Sequence, residues 1–119
     1  MKSILRQKSY RFAVMIIELY KNLVNDSKEY VLSKQVLRSG TAIGALVFEG
    51  EFAQSPYDLT NKFSIAVKEA NESLYWLELL KETDYINIDT YSELSDYCKE
   101  LIRMLVASIK TLKKNHTRT

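Results

Sequence analysis

Few side chains in this sequence are of the types that carry out catalysis, and their spacing does not assemble a site. Glu69 and Glu72 share a face of a predicted helix, as two acid–base carboxylates would, but a solvated acidic face has the same pattern. The single cysteine, Cys98, falls on an apolar stripe, where a thiol usually serves as a small core side chain. The single histidine, His116, follows the last predicted helix, so inward Glu-x-x-His pairs and a zinc cluster are both missing. We therefore expect no enzymatic activity, no cofactor and no metal.

The basic residues are unevenly distributed along the chain. The first eleven residues and the last ten each hold four bases and no acid, whereas the segment between them holds nine bases and fifteen acids. Clustered Lys and Arg can neutralise phosphates without reading sequence. The alternative is that these bases only keep the protein in solution or satisfy a helix dipole. We interpret the two ends as a candidate nucleic-acid surface.

A second candidate surface lies in the middle of the chain, at Tyr75 and Trp76. Trp76 shares a helix face with Ile65 and Leu79, interleaved with acids, rather than with the main apolar stripe. An apolar set of this kind is typical of a subunit interface. The alternative is that a wide core absorbs it. The predicted oligomer interface is therefore Ile65, Tyr75, Trp76 and Leu79.

The helices that must position these residues are indicated by composition and periodicity. Three glycines and one proline in 119 residues favour long helices over a turn-rich β protein. Apolar residues recur at three- and four-residue steps in four segments, predicting helices over about 3–25, 33–53, 56–82 and 90–114. We predict Ser33, Ser55 and either Asp89 or Thr90 as helix caps.

Finer features of the pattern indicate how the helices pack. The first helix carries two adjacent apolar stripes, the second of which includes Ile17, and Phe48 belongs to an inward stripe of the second helix. Gly40 and Gly44 suggest a close approach by a neighbouring helix, with simple tolerance of glycine as the alternative.

Short connections between helices favour an all-α, up-down-up-down antiparallel four-helix bundle forming one domain over residues 1–119. Both chain ends then lie at one pole, and the two basic clusters are expected to meet there. The longest apolar run, 12–17, is too short to span a bilayer, and Arg6 interrupts the N-terminus before a signal-peptide core could form. We expect a soluble, cytoplasmic protein without a membrane partner.

Residues across the first three helices also match a family pattern in order and spacing. The matching segments are Lys8-Ser9-x-x-Phe12-Ala13, Leu32-Ser33-x-Gln35-x-Leu37-Arg38-Ser39-Gly40-Thr41, Ile43-Gly44-Ala45, Glu49-Gly50, Ser55-x-x-Asp58-x-x-x-Lys62, Ile65-Ala66-x-Lys68-Glu69-Ala70-x-Glu72 and Tyr75-Trp76-Leu77. From Lys8 to Leu77 the chain resembles the four-helix-bundle proteins encoded in intervening sequences of 23S rRNA genes. This family is related to the accessory variability determinant of diversity-generating retroelements. The chain departs from the pattern at Ala42 and Leu46, where the family has polar residues, and at Leu59, where it has phenylalanine.

The resemblance implies a homopentamer of bundles around a central channel and no known catalysis. It implies nucleic-acid binding through a basic surface, with structured RNA as the expected ligand here. It also carries over Lys8, Arg38, Lys62 and Lys68 as basic positions, whose alternative role is ion pairing with Glu49, Asp58, Glu69 or Glu72. The candidate nucleic-acid residues are Lys8, Arg11, Arg38, Lys62, Lys110, Lys113 and Lys114. The competing hypothesis is a protein-interaction scaffold with no nucleic-acid role, motivated by Tyr75, Trp76 and the acidic middle segment.

Overall fold

A computed structural model describes residues 3–118, with side chains described up to Asn115. The regular elements in that range are four α-helices: α1 (Ile4–Asn25), α2 (Leu32–Gly50), α3 (Pro56–Glu82) and α4 (Ile88–Arg118). The helices lie side by side in a rod of 53 × 23 × 21 Å, with α1 against α2, α2 against α3 and α3 against α4. The predicted all-α four-helix bundle is confirmed.

The first and last helices complete the bundle and also run antiparallel. Near the start of α1, the Lys8 side chain reaches Glu100 of α4, and Phe12 stacks on Tyr97 with ring centroids 6.0 Å apart. Near the end of α1, Asn22 lines a cleft together with Thr90 at the start of α4. The N-terminal part of α1 therefore lies beside the middle of α4 and its C-terminal part beside the start of α4, as the up-down topology predicts.

Side-chain caps mark the starts of α3 and α4. Ser55 Oγ accepts from the Asp58 N–H at 3.0 Å, with Pro56 as the first helical residue of α3, as predicted. The predicted cap Asp89 or Thr90 is wrong, because the Asn87 side chain caps α4 by accepting from the Thr90 N–H at 2.8 Å. α4 consequently begins at Ile88 rather than 90 and continues to Arg118 rather than 114.

The second helix is capped by Glu29, which lies before the usual N-cap position. The prediction of Ser33 as its cap is wrong. The buried carboxylate of Glu29 accepts from the backbone N–H groups of Val31, Leu32 and Ser33 at 3.1, 2.9 and 2.7 Å. Because these donors have no partner within the first turn, a single carboxylate takes over the role of a cap side chain. At its other end α2 stops at Gly50 instead of 53.

The core is formed by one stripe from each helix, and it is narrower than the sequence suggested. Phe48, predicted to face inward, is 47% exposed, and Ile17 in the second stripe of α1 is 40% exposed. On α3, Ser73 is fully buried and donates to Ser39 Oγ at 2.8 Å. The buried apolar side chains are Leu5, Phe12, Ile16, Leu19, Leu23, Val36, Ile43, Val47, Phe63, Ala66, Ala70, Leu77, Leu80, Leu94, Cys98, Leu101 and Leu105. None of the described helices combines the length and apolarity needed to cross a membrane.

Two glycines of α2 lie where α1 approaches most closely. A Cβ on Gly40 would lie 2.7 Å from Ile16 Cγ1, and one on Gly44 would lie 3.1 Å from the carbonyl oxygen of Ser9. The contact with Ser9 is to backbone, which cannot turn aside as a side chain can. The predicted close approach is confirmed, and it offsets the weak helix propensity of glycine.

Candidate nucleic-acid interface

The residues considered for catalysis make structural contacts within the bundle. Arg38 donates to Glu69 at 3.1 Å and is also hydrogen-bonded to Glu72, so the two carboxylates are bridged by one guanidinium. Cys98 is fully buried and donates to the Ala70 carbonyl oxygen at 3.3 Å. Burial raises the pKa of its thiol to about 12, which keeps it protonated at neutral pH. Among the described residues no group of three His, Cys, Asp or Glu side chains is placed to hold a metal ion.

Three of the predicted phosphate-binding bases are engaged in ion pairs. Lys8 lies 2.8 Å from Glu100, and Lys62 lies 3.2 Å from Glu49. Arg38 is held by Glu69 and Glu72 as above. Ion pairing, the alternative role considered for Lys62 and Arg38, is therefore the one found.

The ion pair between Lys8 and Glu100 shifts the pKa values of both side chains. The hydrogen bond to Glu100 raises the pKa of Lys8 above its ordinary value. The hydrogen bond from Lys8 lowers the pKa of Glu100. Lys8 also lies over the Tyr97 ring, 5.5 Å from its centroid, so its ammonium is directed at this bundle rather than at a partner.

The described bases of the two terminal clusters face different parts of the surface. Arg6 contacts Glu51 at 3.1 Å, and Arg11 faces the cleft that contains Glu18 and Glu93. Lys110 and Lys113 instead line a groove between α3 and α4. α4 packs closely on α3 and only loosely on α1, and the expectation that the two clusters meet stays a prediction, since Lys2 and the Arg118 side chain belong to them. Lys2 and the side chains of His116 and Arg118 lie outside the described residues.

A continuous basic surface does exist, along the outer side of α4. Lys99, Arg103, Lys110 and Lys114 are all exposed, and the helical repeat of 3.6 residues places them within about 60° of one another. We call these four residues the α4 basic face. Between residues 99 and 114 the only acid is Glu100, which is paired with Lys8. Within the described part of the chain, the four side chains form no ion pair.

Half of the α4 basic face, Lys99 and Arg103, is absent from the bases that the sequence analysis selected. The signal was available as a base at four positions of one helical stripe, after the last acid of that stripe, Asp96. Of the predicted bases, Lys110 and Lys114 belong to this face. Lys113 is exposed beside it at the groove lined by Ser64, Val67, Val106 and Ile109.

The predicted oligomer interface forms a half-exposed aromatic pair. Tyr75 is 57% exposed, Ile65 is 38% exposed, and Trp76 and Leu79 are half-buried. The rings of Tyr75 and Trp76 meet edge to face, with centroids 5.1 Å apart. Trp76 packs against the core, and its indole N–H is buried with no acceptor among the described residues. The aromatic pair is thus partly in the core and partly available to another surface.

A second exposed apolar surface, which the sequence did not indicate, lies between α1 and α2. Tyr10 and Phe52 are each 71% exposed, and Phe48 packs edge to face on Phe52 at 5.6 Å. Tyr10, Phe48, Ala13 and Ala45 border a groove of about 350 Å³, which we call the α1/α2 groove, and Phe52 adjoins it through its contact with Phe48. Arg6 closes one end, 5.1 Å from the centroid of the Phe48 ring. The groove is lined almost entirely by apolar groups and lacks a reactive side chain.

The fold and its surfaces define an antiparallel helical bundle that presents a basic helix face and apolar grooves. Residues 1–107 match the family described as 23S rRNA-intervening sequence protein, and the chain belongs to this family. A solved structure from Bacteroides thetaiotaomicron, a protein with unknown function from the S23 ribosomal protein family, is 51% identical. The match covers 90% of this chain and 99% of that one, with a TM-score of 0.89. No curated protein matches the chain.

Proposed function

We propose that this protein is a non-enzymatic homo-oligomer that binds nucleic acid, structured RNA in particular, mainly through phosphate contacts. The observation that carries the proposal is the α4 basic face, four exposed cations on one helical stripe that form no ion pair within the described part of the chain. Bases so arranged attract a phosphate backbone because binding releases its condensed counterions. The family description, which refers to intervening sequences of 23S rRNA, makes ribosomal RNA the first ligand to test.

A non-enzymatic role agrees with the state of the candidate chemical groups. The thiol of Cys98 is buried and protonated, and the carboxylates of Glu69 and Glu72 are bound by Arg38. A general acid or base needs a free position within hydrogen-bonding reach of a substrate. The α1/α2 groove supplies shape but no titratable group other than Arg6 and Tyr10.

The nucleic-acid proposal is tested by fluorescence polarisation with labelled fragments of 23S rRNA at low salt. We expect binding that weakens as salt rises, and weaker binding by the Lys99→Gln/Lys110→Gln variant. The matched control is Lys21→Gln/Lys34→Gln, which removes two exposed bases from other helices. No binding at low salt by the wild-type protein would remove the proposal.

The oligomeric state, a pentamer by resemblance to the family, is proposed on the exposed apolar surfaces. Tyr75 and Ile65 on α3 are exposed beside Trp76, and the α1/α2 groove adds a second apolar surface elsewhere on the protomer. A ring needs two different complementary surfaces on each subunit, because its contacts are head to tail. Light scattering should report a multiple of 13.8 kDa, reduced in Tyr75→Ala. An unchanged mass for that variant would argue against Tyr75 in the interface.

The competing function is a scaffold that binds another protein and no nucleic acid. The α1/α2 groove favours this alternative, since Tyr10, Phe48 and Phe52 expose aromatic area of the kind that anchors protein contacts. Co-purification from a native lysate with and without nuclease separates the two functions. A protein partner that survives nuclease and is lost in Phe52→Ala would favour the scaffold.

A further inference from the structure

We infer that the α4 basic face takes a double-helical nucleic acid, held by phosphates of both strands, rather than an unpaired strand. The inference rests on the proposed nucleic-acid function and specifies the class of ligand. It follows from the spacing of the four cations, from the shape of the element that carries them and from the residues absent around them.

The four cations form a straight row of fixed length. With a rise of 1.5 Å per residue, Lys99 and Lys114 are separated by about 22 Å along the helix axis. Arg103 and Lys110 lie between them on the same stripe. A single uninterrupted helix, Ile88–Arg118, carries all four, so the row cannot bend to follow a flexible chain.

A rigid row matches the charge distribution of a duplex better than that of a single strand. A duplex is itself stiff and carries one charge per 1.7 Å of its axis, so a stretch of about 22 Å presents roughly 13 phosphates. One strand of the same length presents about half as many, and an unpaired strand must also be ordered to meet the row. The electrostatic gain of the row is therefore larger with a duplex.

Aromatic side chains that stack unpaired bases are absent from the segment of α4 that carries the row, where Arg103 is the one side chain of stacking type. Proteins that hold single strands stack the bases on aromatic rings or on Arg planes beside a basic groove. Residues 99–114 contain no aromatic side chain, and no Asn or Gln that could read a base edge. The groove next to the row is lined from α3 by Ser64 and Val67. Tyr10 and Phe48 are exposed on α1 and α2, and Phe52 is exposed just after α2, away from the row.

The composition of the row, three Lys and one Arg, also specifies how the duplex is bound. Contacts to phosphates fix position but carry no sequence information. Binding should therefore depend on paired strands and on salt, and only weakly on sequence. RNA and DNA duplexes share this backbone chemistry, and the two are compared as separate arms of the test.

The experiment measures polarisation of a labelled 24-base-pair RNA duplex, the DNA duplex of the same sequence and the unpaired RNA strand, over a salt series. Four phosphate contacts predict slopes of log K against log salt of about −3.6 for a duplex and −2.8 for a single strand. If the two affinities converge at 1 M salt, this difference makes the duplex about sixfold tighter at 0.1 M. Similar binding of both duplexes would support recognition of the shared backbone.

The variants separate this inference from the broader proposal. Lys99→Gln/Lys110→Gln should reduce the magnitude of the duplex slope by about 1.8, while Lys21→Gln/Lys34→Gln should leave it unchanged. Both pairs are exposed, and circular dichroism checks that each variant is folded. An unpaired strand that binds as tightly as the duplex, or a slope unaffected by Lys99→Gln/Lys110→Gln, would overturn the inference while leaving nucleic-acid binding intact. Failure of all three ligands to bind would instead remove the proposed function.

Discussion

Replacing Glu29 by alanine should destabilise the bundle far more than the loss of an ordinary acid in a connecting segment. The Glu29 carboxylate accepts three backbone N–H groups at the start of α2, and the Ser33 hydroxyl donates to the Glu29 carbonyl oxygen at 2.9 Å. In the variant the N–H of the fully buried Ser33 loses its acceptor, while that of Val31, 70% exposed, can turn to water. A lost cap costs about 1 kcal/mol, and a buried unpaired donor adds about 1–3 kcal/mol.

We therefore expect Glu29→Ala to lower the free energy of unfolding by about 2–4 kcal/mol. Folded chains of this length have an unfolding entropy near 0.25 kcal/mol/K, so the midpoint temperature should fall by roughly 8–16 °C. Glu29→Gln keeps one oxygen acceptor and should lose about half as much. Urea titration followed by circular dichroism measures both changes, with exposed Glu78→Ala of α3 as the control.

The same carboxylate should make stability depend on pH. Burial pushes the pKa of Glu29 upward, but the hydrogen bonds from Leu32, Ser33 and Val31 outweigh burial and hold the pKa below its ordinary value. A carboxyl whose pKa is lower in the folded state contributes stability above its unfolded pKa of about 4.3, and that contribution is lost as pH falls through the folded value. Glu29→Gln should therefore approach the wild type below that range. A stability gap that stays constant from pH 7 to pH 3, or a loss below about 0.5 kcal/mol in Glu29→Ala, would refute the capping role.

Three further predictions concern packing, reactivity and assembly. Gly40→Ala should lower stability by about 1 kcal/mol, because crowding of the buried Ile16 costs more than the gain in helix propensity, and a more stable variant in urea titration would contradict the close approach. Cys98 should resist iodoacetamide at pH 8 in the folded protein and react in denaturant, because burial raises the pKa of its thiol to about 12. Mass spectrometry measures the labelling, and rapid labelling of the folded protein would contradict the burial of Cys98. Phe52→Ala should leave RNA binding unchanged, as measured by polarisation, because the α1/α2 groove lies away from the α4 basic face, and a large loss of affinity would show that the groove takes part.

The backbone of the fold followed from short-range patterns, and the departures have specific physical reasons. α3 could be delimited because Ser55, Pro56 and Asp58 act within one turn. The Glu29 cap was missed because Glu29 lies two residues before Val31, the residue at the N-cap position, where a capping side chain is normally sought. Phe48 was misplaced because periodicity identifies a helix face without giving the width of the buried part of that face.

The candidate site was predictable only in part, since net charge along the chain does not say which bases are already paired. Lys8 pairs with an acid 92 residues away, Arg38 with acids 31 and 34 residues away, and Lys62 with an acid 13 residues away. Only the packing of the helices brings these partners together. Lys99 and Arg103 were overlooked because the acids Asp96 and Glu100 are interspersed with them in sequence. The α4 basic face can be identified only when the exposed bases of α4 are distinguished from the bases that form ion pairs.

The central claim, that the α4 basic face rather than the paired bases binds phosphate, is tested most directly by two neutralised variants. One is Lys99→Gln/Arg103→Gln/Lys110→Gln/Lys114→Gln, and the other is Lys8→Gln/Arg38→Gln/Lys62→Gln. Binding of each to a 23S rRNA hairpin is measured by polarisation between 50 and 400 mM salt. The account predicts that the first variant loses most of the salt slope, a change of about 3.6, and that the second keeps it. A slope that survives in the first variant and disappears in the second would contradict the account.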